Sequence, residues 1–85
     1  MATSVHDPIY KQLIASNAAA RVDARLTQQV VAARLGRPQS YVAKVEGCER
    51  RIDVVEFLHF ARAINADPLP LLRSAWKMVR DDRQE

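Results

Sequence analysis

The stretch Thr27 to Glu46, TQQVVAARLGRPQSYVAKVE, constrains this chain more than any other. Val31, Ala32 and Leu35 stand at i, i+1 and i+4, a narrow apolar stripe on a short helix over 28–35. Gly36 follows the last apolar residue and can take a positive φ without a Cβ clash, so the helix ends there. Pro38 fits the first position of a new helix, where its missing N–H is not needed. A second helix is therefore expected to begin at Pro38.

On that second helix Val42 and Val45 point one way, while Gln39, Ser40, Ala43 and Lys44 fall on another face. The outer stripe is short and polar. An amide can pair with the edge of adenine, a lysine can reach guanine or phosphate, and small neighbours let the backbone come close. Ala32, Gly36 and Val42 supply what a helix-turn-helix needs: close approach, a sharp turn and a small shared core.

The run LTQQVVAARLGRPQSYVAKVEGCERRID resembles the helix-turn-helix domain of the Cro/CI-type (XRE) repressors of phages and bacteria. The resemblance reaches from Tyr10 to Leu72, and its specific part is Leu26 to Asp53. It implies a lambda-repressor-like fold in which the first helix braces the motif. It implies an ion pair between Arg21 and Glu46 that locks the first helix to the third and adds orientation more than stability; the alternative is two separate surface charges. Arg50 and Arg51 stand where loop residues of the family reach the DNA backbone. The chain departs from the family pattern at Asn17, where an apolar residue is more usual, and at Arg25, where a glycine is frequent. It departs again after the third helix, where the family's glycine position holds Cys48 and Gly47 comes one place early.

Eighty-five residues bound the chain to one domain, 1–85, with frayed ends expected at 1–6 and 82–85. A hydrophobic content of 48% with only two glycines and few β-branched runs favours an all-α core. No basic patch precedes an apolar run in MATSVHDPIY, and nowhere is there an apolar stretch long enough to span a bilayer. A cytoplasmic, nucleoid-associated protein is expected. Its single cysteine, Cys48, cannot form an internal disulfide and reads as a small residue at a helix end; a redox switch beside Arg50 and Arg51 is the weaker reading. The net charge of +3 is a mild hint of an anionic partner, and its distribution says more. From Thr27 to Arg51 five basic residues face two acidic ones, whereas from Ile52 onward five face six.

In chain order, Asp7 and Pro8 are the N-cap and first residue of helix one, with Ile9, Leu13 and Ile14 on its apolar side and Ala18, Ala19 and Ala20 allowing close packing. Thr27 caps the second helix, and Gln28 beside it would meet a phosphate at the free N–H groups. Asp53 and Glu56 form a capping-box-like pair at the start of a fourth helix whose core face is Val54, Phe57, Leu58, Ala61 and Ile64. His59 and Arg62 fall outside that face, and a lone histidine makes no metal or catalytic site. Asn65-Ala66-Asp67 breaks the chain, and Asp67 caps a fifth helix starting at Pro68. On it Leu71, Leu72, Ala75, Trp76 and Val79 recur at helical spacing. Leu72, Ala75, Trp76 and Val79 are read as a two-fold dimer interface, the alternative being that Trp76 plugs the base of its own core.

These readings converge on a compact five-helix bundle that binds double-stranded DNA as a homodimer, a repressor reading a palindromic operator through its third helix. Gln39, Ser40 and Lys44 are the expected base contacts; Thr27, Gln28, Arg37, Tyr41, Arg50 and Arg51 are the expected backbone contacts. No enzyme activity, cofactor, metal, membrane or small-molecule partner is expected, since no phosphate-cradling glycine loop or zinc spacing occurs. The second reading is a DNA-binding antitoxin or restriction-modification controller whose main business is a partner protein or neighbouring gene. A hydrolase built on Ser40 or Ser74 with His59 lacks an oriented base and an oxyanion hole. An interaction-only bundle would not need the polar, basic stripe of the third helix.

Overall fold

The computed structural model describes residues 6–82 and contains five helices: α1 Pro8–Asp23, α2 Gln28–Leu35, α3 Gln39–Glu46, α4 Val54–Ala63 and α5 Pro68–Asp82. There is no strand among the described residues, and none of their helices is long and apolar enough to cross a membrane. His6 lies in a turn and Asp82 ends α5; the rest of the tails expected at 1–6 and 82–85 lies outside the described residues.

Each helix starts where a side chain can take up its free N–H groups. Asp7 accepts from the amides of Ile9 and Tyr10 ahead of α1, and Thr27 accepts from Val30 ahead of α2. Asp53 and Glu56 make a reciprocal capping box on α4, and Asp67 accepts from Leu69 on α5. α3 is the exception. It begins at Gln39, so Pro38 is its N-cap and not its first residue; at φ −64 and ψ 152 the proline is extended and has no side chain to offer the helix.

The first four helices end in one shared way. A residue in left-handed conformation follows each, and the next amide reaches back five residues: Leu26 to Arg21 (3.2 Å), Arg37 to Ala32 (2.9 Å), Glu49 to Lys44 (2.8 Å) and Ala66 to Ala61 (2.9 Å). This is the Schellman closure, which glycine favours because it has no Cβ. Gly36 fills the position at φ 68, but Arg25 (62), Cys48 (57) and Asn65 (57) fill the others. Gly47 has φ −81, so the left-handed turn after α3 stays at Cys48, the position where the family pattern has glycine. Arg25 likewise keeps the turn that a glycine would make easier.

The core gathers Tyr10 and Ile14 from α1, Val31 and Ala32 from α2, Val42 and Val45 from α3, Ile52 from the following loop and Phe57, Phe60, Ala63 and Ile64 from α4 and its end. Val31, Val42 and Val45 have no exposed surface, each a burial worth about 1.5–3 kcal/mol. The Tyr10 hydroxyl accepts the Ile52 amide at 3.1 Å, which ties α1 to the α3–α4 loop. The face expected for α4 is corrected: Val54 is 70% exposed and Leu58 44%, and Phe60 enters the core in their place. α5 lies along α1, where Ala75 is buried and the hydroxyls of Ser16 and Ser74 meet at 3.1 Å. Asn17 is buried too, with neither side-chain atom hydrogen bonded.

Candidate nucleic-acid interface

The buried Val42 and Val45 fix the roll of α3 and leave Gln39, Ser40 and Lys44 on its exposed side. Behind them runs a chain of polar side chains. Arg21 donates to both oxygens of Glu46, Nε to Oε2 at 2.6 Å and Nη2 to Oε1 at 2.9 Å, and its Nη1 donates to the Leu26 carbonyl at 2.7 Å. Gln28 donates to Glu46 Oε1 at 2.9 Å, and Gln39 donates to Gln28 Oε1 at 3.2 Å. The direction is forced: a carboxylate can only accept, so Gln28 turns its NH2 to Glu46 and its oxygen to Gln39. Gln39 then keeps its own oxygen and one N–H, pointing outward.

The Arg21–Glu46 pair is mostly shielded, its side chains 14% and 9% exposed. The hydrogen bond to Glu46 raises the Arg21 pKa above its ordinary value, with Coulomb attraction to the same group adding to it and burial opposing it. Arg21 stays charged at any relevant pH. The structure therefore brings Arg21, Gln28, Gln39 and Glu46 into one network that joins α1, the start of α2 and both ends of α3.

A second cluster forms around Tyr41. Its ring stacks on Phe60 at 5.8 Å, and the guanidinium groups of Arg37 and Arg50 lie over it at 4.5 and 5.0 Å. Its hydroxyl donates to Glu56 Oε2 at 3.1 Å, and Arg50 approaches the same oxygen at 3.6 Å. Burial first, then the hydrogen bond and charge of Glu56, push the Tyr41 phenol above its ordinary range; Arg37 and Arg50 pull the other way. The one proton Tyr41 could give to a backbone phosphate is committed to Glu56. Arg51 lies over Tyr10 at 4.5 Å, on the loop that Tyr10 holds.

A solved structure described as an XRE-family like protein from Pseudomonas syringae pv. tomato str. DC3000 is 47% identical to this chain. The match covers 87% of this chain and 90% of that one, with a TM-score of 0.80. The chain belongs to the XRE family. No family model and no curated protein matches it.

In this XRE-family protein the sequence pattern places Gln39, Ser40, Lys44, Thr27, Arg37, Arg50 and Arg51 on exposed positions. Gln28 is half-buried and spans Glu46 and Gln39, where a phosphate contact was expected. The dimer stripe is also changed: Ala75 is buried and Leu72 packs on the core, so only Trp76 (58% exposed) and Val79 (44%) of the four face outward. Trp76 does not plug its own core. Leu69, 60% exposed, joins them at helical spacing. No group of acidic, histidine or cysteine side chains that could hold a metal occurs among the described residues. Ser74 is taken up by Ser16 and the Leu71 carbonyl, and no hydrogen bond links Ser40 or Ser74 to His59 among the described residues.

Sequence reasoning missed the Gln28–Gln39 bond, the Tyr41–Glu56 bond and the role of Tyr10. The first had a usable signal, a glutamine at the start of each helix of the motif.

Proposed function

We propose that the protein binds duplex DNA sequence-specifically as a homodimer and represses transcription at a palindromic operator. The observation that carries this reading is the outward amide of Gln39, held from behind by Gln28. Bidentate pairing with adenine needs one N–H and one oxygen in a fixed plane, which is what Gln39 has left to offer. Ser40 and Lys44 extend the exposed face, and Thr27, Arg37, Arg50 and Arg51 flank it as backbone contacts. Tyr41 would join them only by releasing Glu56.

A two-fold operator needs two α3 helices about 34 Å apart on one side of the duplex. Leu69, Trp76 and Val79 form an exposed apolar stripe on α5 that suits the subunit contact. The experiment is selection of binding sequences from a randomised duplex pool by the purified protein at near-physiological salt. Recovery of a palindrome with half-sites about one helical turn apart supports the reading; salt-sensitive binding with no enriched sequence overturns it.

A DNA-binding antitoxin or restriction-modification controller is the second reading. It draws on Val54, Val55 and Leu58, which leave a second apolar stripe exposed on α4. Co-purification of a defined partner that substitution of Val55 abolishes, with no operator in the selection, would favour it.

A further inference from the structure

Between the end of α2, the turn into α3 and the outer side of α4 lies a cleft of about 790 Å³. That volume falls in the range of small-molecule sites, about 300–1,000 Å³. Leu35 and Phe60 supply its apolar lining; Arg34, Arg37 and Arg62 supply its charge. Arg34 is fixed there, because its Nη1 donates to the Ala63 carbonyl at 2.7 Å. None of the three arginines has a carboxylate partner among the described residues. Glu56, the one acid in the lining, is already occupied: Oε1 accepts from the Asp53 amide and Oε2 from Tyr41, with Arg50 nearby.

Three guanidinium groups against one engaged carboxylate leave a surplus of two positive charges in a concave site. Low-dielectric walls focus such a field. A phosphate monoester carries about −1.5 to −2 at neutral pH and accepts the paired N–H groups of arginine in their fixed geometry. We propose that this cleft binds a phosphate ester, its phosphate on Arg34 and Arg62 and its less polar body against Leu35. The cleft shares Arg37 and Tyr41 with the proposed DNA-backbone contacts, whereas Arg34, His59 and Arg62 have no part in the DNA-reading surface described above.

The test is an amide NMR titration of the whole protein with adenosine monophosphate, and with inorganic phosphate as the body-less probe. Saturable shifts at Leu35, His59, Ala63 and Asn65 are expected, with the nucleotide binding more tightly than phosphate. Arg62→Gln should weaken binding about tenfold, the cost of one charge-assisted contact. Lys77→Gln removes the same charge on α5, outside the cleft, and should leave binding unchanged. Shifts that fail to saturate by about 10 mM, or equal weakening in both variants, overturn the proposal.

A random duplex then identifies the source of the phosphate. If it displaces the nucleotide, and Arg62→Gln lowers the salt slope of duplex binding by about one, the DNA backbone is the occupant. If duplex leaves the cleft amides unmoved while the nucleotide saturates them, the occupant is a free phosphate ester. Both results uphold the site, and neither depends on an operator having been found.

Discussion

Gln28 accepts a hydrogen bond from Gln39 at 3.2 Å while donating one to Glu46 at 2.9 Å. The base-reading amide proposed here is thus oriented by a residue that need not touch a base. Gln39→Ala should cost about 1–3 kcal/mol on the operator and blur preference at one base pair. Gln28→Ala should lose discrimination at that same base pair, by about 1–2 kcal/mol, while binding to random duplex changes little. Competition binding against operators altered at single positions checks this; a loss spread evenly over all positions would refute the orienting role.

Tyr41 gives a pH dependence. Its phenol is held above the ordinary value, so on raising the pH the unfolded chain releases this proton at about 10 while the folded protein still holds it. The unfolded state then binds fewer protons, and stability falls as pH rises through the folded-state pKa. Tyr41→Phe, which also loses the bond to Glu56, should be less stable at about pH 8 but decline less steeply toward about pH 11. Urea midpoints of both proteins across that range measure it, and parallel declines would show that Tyr41 contributes nothing to the alkaline limb.

The left-handed residues Arg25 and Cys48 carry a strain that glycine would relieve. After allowing for the extra freedom glycine gives the unfolded chain, Arg25→Gly and Cys48→Gly should each raise stability by roughly 0.5–1 kcal/mol. Gly36→Ala should cost about 1 kcal/mol from conformation alone, since a Cβ there would meet nothing within 4 Å. Chemical denaturation of the three variants gives the signs, and a destabilised Cys48→Gly would mean that the thiol's packing outweighs the strain.

Asn17 is 1% exposed with both polar atoms unpaired. Burying an amide without partners costs about 1–3 kcal/mol. Asn17→Leu, which has similar branching, should therefore raise the thermal midpoint, by about 4–8 °C per kcal/mol gained. A lower midpoint would show that the core has no room for the larger side chain or that the amide is held by a bound water.

Trp76 is tied to the proposed dimer and not to the protomer core. Trp76→Glu should shift sedimentation toward the monomer and weaken operator binding, yet leave the unfolding free energy of the monomer within about 0.5 kcal/mol of the original. An unchanged association state would move the subunit contact off α5.

Much of this architecture was legible because it is local. Asp7, Thr27, Asp53 with Glu56, and Asp67 cap the helices their spacing suggests, and Gly36 makes the turn between α2 and α3. The burial of Val42 and Val45 follows from their spacing. What was not legible depends on placement in three dimensions. α4 carries apolar residues on most of its circumference, so only its packing against α2 and the Tyr41 ring of α3 decides that Phe60 turns inward while Val54 and Leu58 face out. Ala75 could pass for an interface residue until α5 was seen lying on α1. Cys48 and Arg25 hide a left-handed turn because neither residue type advertises one. The Gln28–Gln39 bond spans eleven residues and two helices; the glutamine at the start of each helix hints at it, but only the packing of α2 against α3 brings the two amides together.

Tyr10 and Arg21 both belong to α1, yet they hold the loop after α3 and the last residue of α3 itself. The portable unit is consequently larger than the two helices of the motif. A fragment beginning at Thr27, grafted onto a foreign scaffold, would keep its turn and its shared valines but arrive with Glu46 uncompensated and the Ile52 amide without its acceptor. Any host would have to furnish a guanidinium and a hydroxyl at those two places before the graft could hold its shape.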